Sequence, residues 1–567
     1  MSKPLYRSLA DSFQLQIYMP KGTLTPAPAA TCEADALLAE RMASDRPPQA
    51  VLMNTDESLH VYAGGSVVGT LDGCMRLICG RAVPIVRFET ARAGQAIAEY
   101  AQQNCLGDLT LCVPYEMRSI LPSVRSLLPL SRGMLDVRGC ALPAFTELIG
   151  QIHESDATML LGKGIDRAFA RRLQKRFVQV WLEAEADVTD ALAAGVCGVL
   201  TQRTGELYDL ISRFPEGATV RPAPLYAHKA YHATGEYPEN STSACEAAGR
   251  LGYDATEIDV QLTSDDVLVV HHDRHTGNLF NGELTVSEEP WARLSALRRK
   301  QFPQAGLDRM EDLMRRMTDY PETPVLIEIK TPAATNGVEE CVRQLAELFR
   351  QEDTQKACTC IMGVMPPYLD YVHKMLPRLP VAHCTGGQYA PSIDPEENNR
   401  RLYQLALDTR GANAGFNPYH PLINREFSEL AHIRGITVFP WTYAFEPWEQ
   451  GREGITEAFL SGHDGLTSDW VGKFSHVPLD VRAELPAAWK AGEPLSLQCS
   501  ALMRTGEWTA LPGELEIVSP DGDIRLDEAG RLVAGPGEKR ILFGCRTLLD
   551  GGRSICVFGG CQRVRFE

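Results

Sequence analysis

An α/β fold built around a (β/α)8 barrel is predicted for this chain. A shortened, degenerate barrel-like α/β domain is expected before it and a small β-sandwich after it. Three observations carry this. Apolar runs alternate with helix-like ones over most of the length, as repeated strand–helix units do. From Tyr226 to Asp273 those runs end in chemically active residues: PLYAH at His228, TEIDV at Glu257 and Asp259, VLVVHHD at His272 and Asp273. Catalytic groups at strand ends are the layout of a barrel. After about Leu479 the helical patterning stops and short strand-like runs take over.

Residues 1–220 form the first predicted domain, and a weak internal repeat with the later barrel marks it. QAVLMNTD, ending at Asp56, is set against DVLVVHHD, ending at Asp273. VPIVRFET, ending at Thr90, is set against PVLIEIKT, ending at Thr331. Val178 to Gln202 matches the tail from Val438 to Asp469, each with a glycine-bracketed segment before its last strand. Residues from about 30 to 215 thus read as a shortened barrel copy without the chemistry. Thr55 stands in the place of His272, no Glu-x-Asp pair precedes it, and Glu89 lies one residue out of register with Glu328. Without three convergent carboxylates a divalent ion would not be held, so a structural or regulatory role is expected.

Residues 221–478 form the second domain. Strand side chains alternate faces with period two, so Glu257 and Asp259 point the same way. Glu328 and Lys330 in PVLIEIK form a second same-face pair. The ordered motifs are AHK at Ala227 to Lys229, PEN at Pro238 to Asn240, EID at Glu257 to Asp259, HHD at His271 to Asp273 and EIK at Glu328 to Lys330. A late WTY at Trp441 to Tyr443 and GHDGLTSD ending at Asp469 read as the last two strands. His271 lies on the opposite strand face from His272 and is taken as structural. His232 and His275 are taken as loop residues.

That ordered set resembles the glycerophosphodiester phosphodiesterase family, whose pattern is His-Arg-Gly, Pro-Glu-Asn, Glu-x-Asp, His-Asp and Glu-x-Lys. The resemblance covers roughly Pro224 to Phe474, the usual length of such a barrel at about 250 residues. It departs at one point: Lys229 and Ala230 stand where the family has Arg-Gly. Arg grips phosphate through a planar fork and Lys is a point charge, so this bears on the substrate more than on the reaction type.

The resemblance implies metal-dependent hydrolysis of a small glycerophosphodiester to an alcohol and glycerol 3-phosphate. Glu257, Asp259 and Glu328 form an all-oxygen set, suited to Ca2+ or Mg2+. His228 and His272 would flank the phosphate as acid and base. By resemblance the attacking group is the neighbouring glycerol hydroxyl, giving a cyclic intermediate, with direct attack by water as the competing route. Lys229 and Lys330 would add positive charge. Glu239 is either a metal ligand or an orienting group, and Trp441 either pocket wall or barrel filling. The alternatives are a barrel acting on a lipid or sugar phosphodiester, and a non-catalytic barrel that binds a phosphorylated ligand. An acid–base pair argues against the latter, because binding alone needs none.

Residues 479–567 form the third domain. Runs such as PLSLQCSAL, GELEIVS, KRILFGCRTL, SICVFGG and RVRF, separated by turns such as SPDGD and PGEK, suggest a small β-sandwich of unassigned partner. The net charge of −17 argues against a nucleic-acid or anionic-membrane surface. No signal-like start and no apolar run of about 18 residues is present, so no transmembrane helix is expected. The 16 scattered cysteines then point to a reducing cytoplasm.

Overall fold

The computed structural model describes residues 29–31, 42, 49–78, 82–104, 106–107, 109–330, 337–363, 366–385, 415–423, 425–442 and 448–567. Thr331 and Tyr443 of the motifs above lie outside the described residues, as do residues 1–28.

The first domain is a closed ring of parallel strands. In chain order they are β1 (Ala29–Thr31), β2 (Ala50–Thr55), β3 (Val83–Arg87), β4 (Thr110–Pro114), β5 (Arg132–Asp136), β6 (Met159–Gly162), β7 (Gln179–Glu183) and β8 (Gly198–Leu200). Each pairs with the next in parallel and β8 returns to β1, while an antiparallel hairpin (His60–Ala63, Ser66–Thr70) intervenes in the chain between β2 and β3 and pairs with β2. Eight parallel strands closing on themselves are a whole ring, so the shortening lies in the loops and helices. Helices cover the outside. The helix Ala91–Gln103 begins at Thr90, whose hydroxyl accepts the Ala93 N–H at 3.1 Å, and buries Ala93, Ile97 and Ala101.

The second domain repeats the plan. Its strands are β9 (Leu225–Ala227), β10 (Ala255–Leu262), β11 (Val325–Ile329), β12 (Cys358–Gly363), β13 (Val381–Thr385), β14 (Gly415–Pro418), β15 (Thr437–Val438) and β16 (Leu466–Ser468). They pair in parallel from β9 round to β15, β16 pairs with β9, and bridges through Trp441 join the last two strands. An antiparallel hairpin (Leu268–Val270, Asp308–Arg309) again follows the second strand.

This topology revises the internal alignment. β2 is the counterpart of β10, a ring strand, and not of the hairpin strand that ends before His272. Thr55 therefore does not stand at the place of His272. Register supplies the true correspondences. Leu52 pairs with Ile85 and Asn54 with Arg87, as Glu257 pairs with Leu326 and Asp259 with Glu328. Leu52 and Ile85 point into the first ring with Cys112, Met134 and Trp181, and Leu326 points into the second with Tyr226, Ala382 and Phe439. Leu52, Asn54 and Arg87 thus hold the positions of Glu257, Asp259 and Glu328. Arg87, not Glu89, replaces Glu328.

The two rings meet base to base. Thr158, just before β6, donates to the Gly435 carbonyl just before β15 at 2.8 Å. Arg171 forks onto Asp254 before β10 at 2.8 and 2.9 Å, and Arg176 donates to the Cys358 carbonyl at 2.8 Å. Phe177 plugs the second ring against Phe439 and Tyr226, with ring centroids 4.7 and 5.9 Å away. Gly435 has φ +73°, and a Cβ there would come within 2.4 Å of the Met159 sulfur. Because amino-terminal strand ends face each other, the two carboxyl-terminal mouths open in opposite directions.

The third domain holds β17 (Asp480–Glu484), β18 (Gln498–Leu502), β19 (Glu514–Val518), β20 (Gly537–Leu548) and β21 (Ser554–Phe566). β19, β20 and β21 form one antiparallel sheet and β17 pairs with β18 in another. Val481, Ala483, Ile541, Phe543, Val564 and Phe566 share one apolar cluster between them. SICVFGG and RVRF, expected as separate strands, are one strand, because a register shift between Leu542 and Gly544 absorbs the glycines. This unit braces both rings: Arg504 donates to buried Asp254 at 2.6 Å, and Arg563 donates to Asp190 at 2.7 Å. Ala218 and Thr219 of the linker pair with Cys556 and Val557 of β21.

Candidate active site

The mouth of the second ring gathers the candidate residues. Glu257 and Asp259 sit on the inward face of β10, and Glu328 lies opposite Asp259 on β11. All three are buried, and one carboxylate oxygen from each lies within 4.8 Å of the others. Oε1 of Glu257 has no hydrogen-bond partner, and Oε1 of Glu328 faces the Lys330 ammonium at 2.6 Å. Buried carboxylate oxygens are normally satisfied, so this donor set fits a hard cation. Burial and the neighbouring Asp259 drive Glu257 up. Burial also opposes ionisation of Asp259, but Lys330, His272 and Lys229 hold it below the usual carboxylate range. Opposite shifts are what carboxylates that cannot both stay charged show.

Second-strand neighbours fix the carboxylates. Asn240 of PEN has φ +49°; its amide N–H donates to Asp259 Oδ2 at 2.8 Å and its oxygen accepts the Asp259 N–H at 2.9 Å. Arg299 in turn holds the Asn240 carbonyl at 2.9 Å. Ser241 then caps the helix Thr242–Arg250, which anchors PEN at the mouth. Lys330 Nζ lies 2.6 Å from Glu328 and 3.5 Å from Asp259. The Lys229 N–H donates to Glu257 at 2.8 Å, while its ammonium lies 3.7 Å from Glu239. Glu239 thus faces Lys229 and stands outside the carboxylate cluster. Lys229 and Ala230 have φ +47° and +66°, a left-handed turn that glycine adopts without penalty and alanine does not.

The two histidines are each held by a carboxylate. His228 Nδ1 lies 3.1 Å from Asp469 at the end of β16, which leaves Nε2 turned to Glu257, 3.9 Å away. Burial disfavours the charged ring, but Asp469 and Glu257 outweigh it and lift His228 to about 9. His272 Nδ1 lies 2.8 Å from Asp273, which Asn278 holds at 2.9 Å. Gln261 donates to the carbonyls of His271, His272 and Asp273 at 2.8, 3.1 and 2.8 Å and so fixes the turn. Trp441 stacks on His228 with centroids 6.2 Å apart and packs on Tyr419 at 4.7 Å, forming an aromatic wall. His271 is buried, 3.3 Å from the His275 carbonyl, and turned away from the mouth.

Two residues at the site were not among the candidates. Asp469 had been read only as a strand end, and His232, read as a loop residue, lies 2.7 Å from the same Asp469 oxygen. Ring closure brings Asp469 to His228 across the whole domain, which no local pattern reveals. The spacing of His232 four residues after His228 was the available signal.

The mouth of the first ring is different. Arg87 and Arg138 converge on Asp136 at 2.7 and 2.8 Å, Arg138 also donates to Glu183, and Arg87 reaches Glu89 at 2.8 Å.

Residues 231–473 match the glycerophosphoryl diester phosphodiesterase family. A glycerophosphodiester phosphodiesterase from Bacillus altitudinis is 28% identical over 257 residues, covering 43% of this chain and 94% of the relative. A human lysophospholipase D is 33% identical over 289 residues, covering 44% of this chain and 84% of the relative. Among solved structures, an Oleispira antarctica phosphodiesterase in complex with the product sn-glycerol-3-phosphate is 20% identical, with TM-score 0.35 over 44% of this chain and 93% of that one. No described helix is long and apolar enough to cross a membrane. With the family's motifs in order on the second ring and a relative of this identity matched over most of its length, the chain belongs to the glycerophosphoryl diester phosphodiesterase family.

Proposed function

We propose that the mouth of the second ring hydrolyses glycerophosphodiesters to an alcohol and glycerol 3-phosphate, using Glu257, Asp259 and Glu328 as ligands to a divalent ion and His228 and His272 as acid and base. The observation that carries this is the buried carboxylate triad, in which Glu257 Oε1 has no partner and one Lys330 ammonium faces Glu328 and Asp259, flanked by two carboxylate-held imidazoles. A divalent ion bound there supplies positive charge against the phosphoryl oxygens. Lys330 and Lys229 bring further positive charge to the same mouth. One imidazole takes the proton of the attacking hydroxyl and the other returns one to the departing alkoxide as the P–O bond breaks. Asp469 and Asp273 hold Nδ1 of each ring and so present Nε2 to the substrate. Attack by the neighbouring glycerol hydroxyl gives a cyclic diester that water then opens; attack by water gives the products directly.

A second reading is a lysophospholipid substrate. The human relative's name and the Trp441–Tyr419 wall beside His228 favour it. The first ring is assigned no hydrolytic chemistry, and the third domain a bracing role. The scattered cysteines support a cytoplasmic location, which fractionation of the native cell tests. The deciding experiment measures alcohol release from a panel of water-soluble glycerophosphodiesters and lysophospholipids, with divalent ions and with chelator. Release insensitive to chelator refutes the metal assignment, and release from neither class refutes the function.

A further inference from the structure

A cleft of about 410 Å³ lies where the linker, the outside of the second ring and the third domain meet. It is remote from both mouths, since its ring residues belong to the helices Arg425–His432 and Trp448–Leu460 and the loop after them. Four arginines line it, Arg221, Arg425, Arg546 and Arg553, against two glutamates, Glu216 and Glu457. Guanidinium groups thus outnumber carboxylates on the wall itself, although the acids paired with them from outside the lining offset their charge.

The carboxylates that pair with three of these arginines stand behind the lining. Arg221 donates to Asp464 at 3.0 Å, Arg425 to Glu429 at 2.8 Å and Arg546 to Glu516 at 2.8 Å, and none of those acids lines the cleft. Arg553 pairs with a lining acid, Glu457. Asp464, Glu429 and Glu516 therefore orient these guanidinium groups from outside the lining. Arg221 is nine-tenths buried and spends one N–H on Asp464. A guanidinium carries five donors, and desolvated donors gain most from an anionic acceptor. The cleft is of small-ligand size.

We propose that this cleft is a second, non-catalytic site for a phosphate dianion or a small phosphomonoester. Planar forks arriving from three segments match tetrahedral phosphate oxygens better than they match a single carboxylate. A bound dianion would tie the linker, the ring and the third domain together.

The test is thermal unfolding of the full chain with the Glu257→Ala substitution in chelator, so that the carboxylate site cannot hold a metal. The probes are inorganic phosphate and glycerol 3-phosphate, against sodium chloride at matched ionic strength. At a hundredfold excess over Kd, the unfolding temperature is expected to rise by about 2 °C or more. Arg553→Ala and Arg425→Ala, both on the cleft surface, should abolish the rise. Glu457→Gln, which removes a negative charge from the wall, should instead tighten binding by about threefold or more. Lys330→Ala at the catalytic mouth should leave the rise unchanged. No rise above the chloride control, a rise that survives both arginine variants, or one lost in Lys330→Ala would overturn the proposal. Because the reporter chain is already inactive, failure here leaves the proposed hydrolytic function standing.

Discussion

The two rings share a scaffold and differ at three inward positions. In the second, Glu257, Asp259 and Glu328 crowd three carboxylates together against one Lys330 ammonium, and Glu257 Oε1 is left without a partner. In the first, Leu52, Asn54 and Arg87 stand in register with them, and Arg87 is already matched by Asp136 and Glu89. In one mouth three carboxylates share a single ammonium, Lys330, while in the other the matching position is itself a cation, Arg87. A barrel's strands thus supply position, and the charge on a few inward side chains decides whether the mouth can hold an ion.

The strongest way to break this comparison is to remove the carboxylates. Glu257→Ala or Asp259→Ala is expected to lower turnover by at least about a thousandfold and to abolish thermal stabilisation by Ca2+ or Mg2+. Stabilisation that persists in both variants would show that the ion sits elsewhere. The matched change in the first ring, Arg87→Ala, should leave turnover within about twofold of the parent.

Loss of an imidazole is the next largest effect. His228→Ala and His272→Ala should each cost about a hundredfold in turnover with the fold intact by circular dichroism. A normal rate in either variant would make that histidine structural.

Stability sharpens the comparison further. Arg87→Ala leaves Asp136 buried with a lost partner and is expected to cost roughly 2 kcal/mol in denaturant unfolding. An unchanged midpoint would mean that the ionic cluster of the first mouth is ornamental to its fold.

The seam between the bases makes a pH prediction. His432 lies 2.7 Å from Asp464, beside Cys197, Gln179 and Arg221. Burial opposes its charge, but Asp464 prevails and raises it from 6.5 to about 9. A raised histidine adds stability below its unfolded value that is lost as pH climbs through its folded value. The melting temperature should therefore fall more steeply between pH 6.5 and 9 in the parent than in His432→Gln. Parallel profiles would remove His432 from the seam's energetics.

The smallest effect concerns Ala230 at φ +66°. Relief of the left-handed penalty outweighs the added freedom of the unfolded chain, so Ala230→Gly should stabilise by about 0.5 kcal/mol. A lower melting temperature would show that the turn is held without strain.

Much of the second mouth was legible because its signals are local. The period of two puts Glu257 and Asp259 on one face and Glu328 with Lys330 on another, and an apolar strand leads into each histidine. The matching tails from Val178 and from Val438 were legible for the same reason, and they do form the last two strands of each ring. Only the tertiary structure decided the rest. Ring closure sets Asp469 against His228, and register, not string similarity, makes Arg87 the counterpart of Glu328. The base-to-base seam and the arginine cleft join segments hundreds of residues apart. Sequence determines which faces and termini carry charge, because backbone periodicity is a local property. Which charges meet is set by closure and packing, which depend on the whole chain.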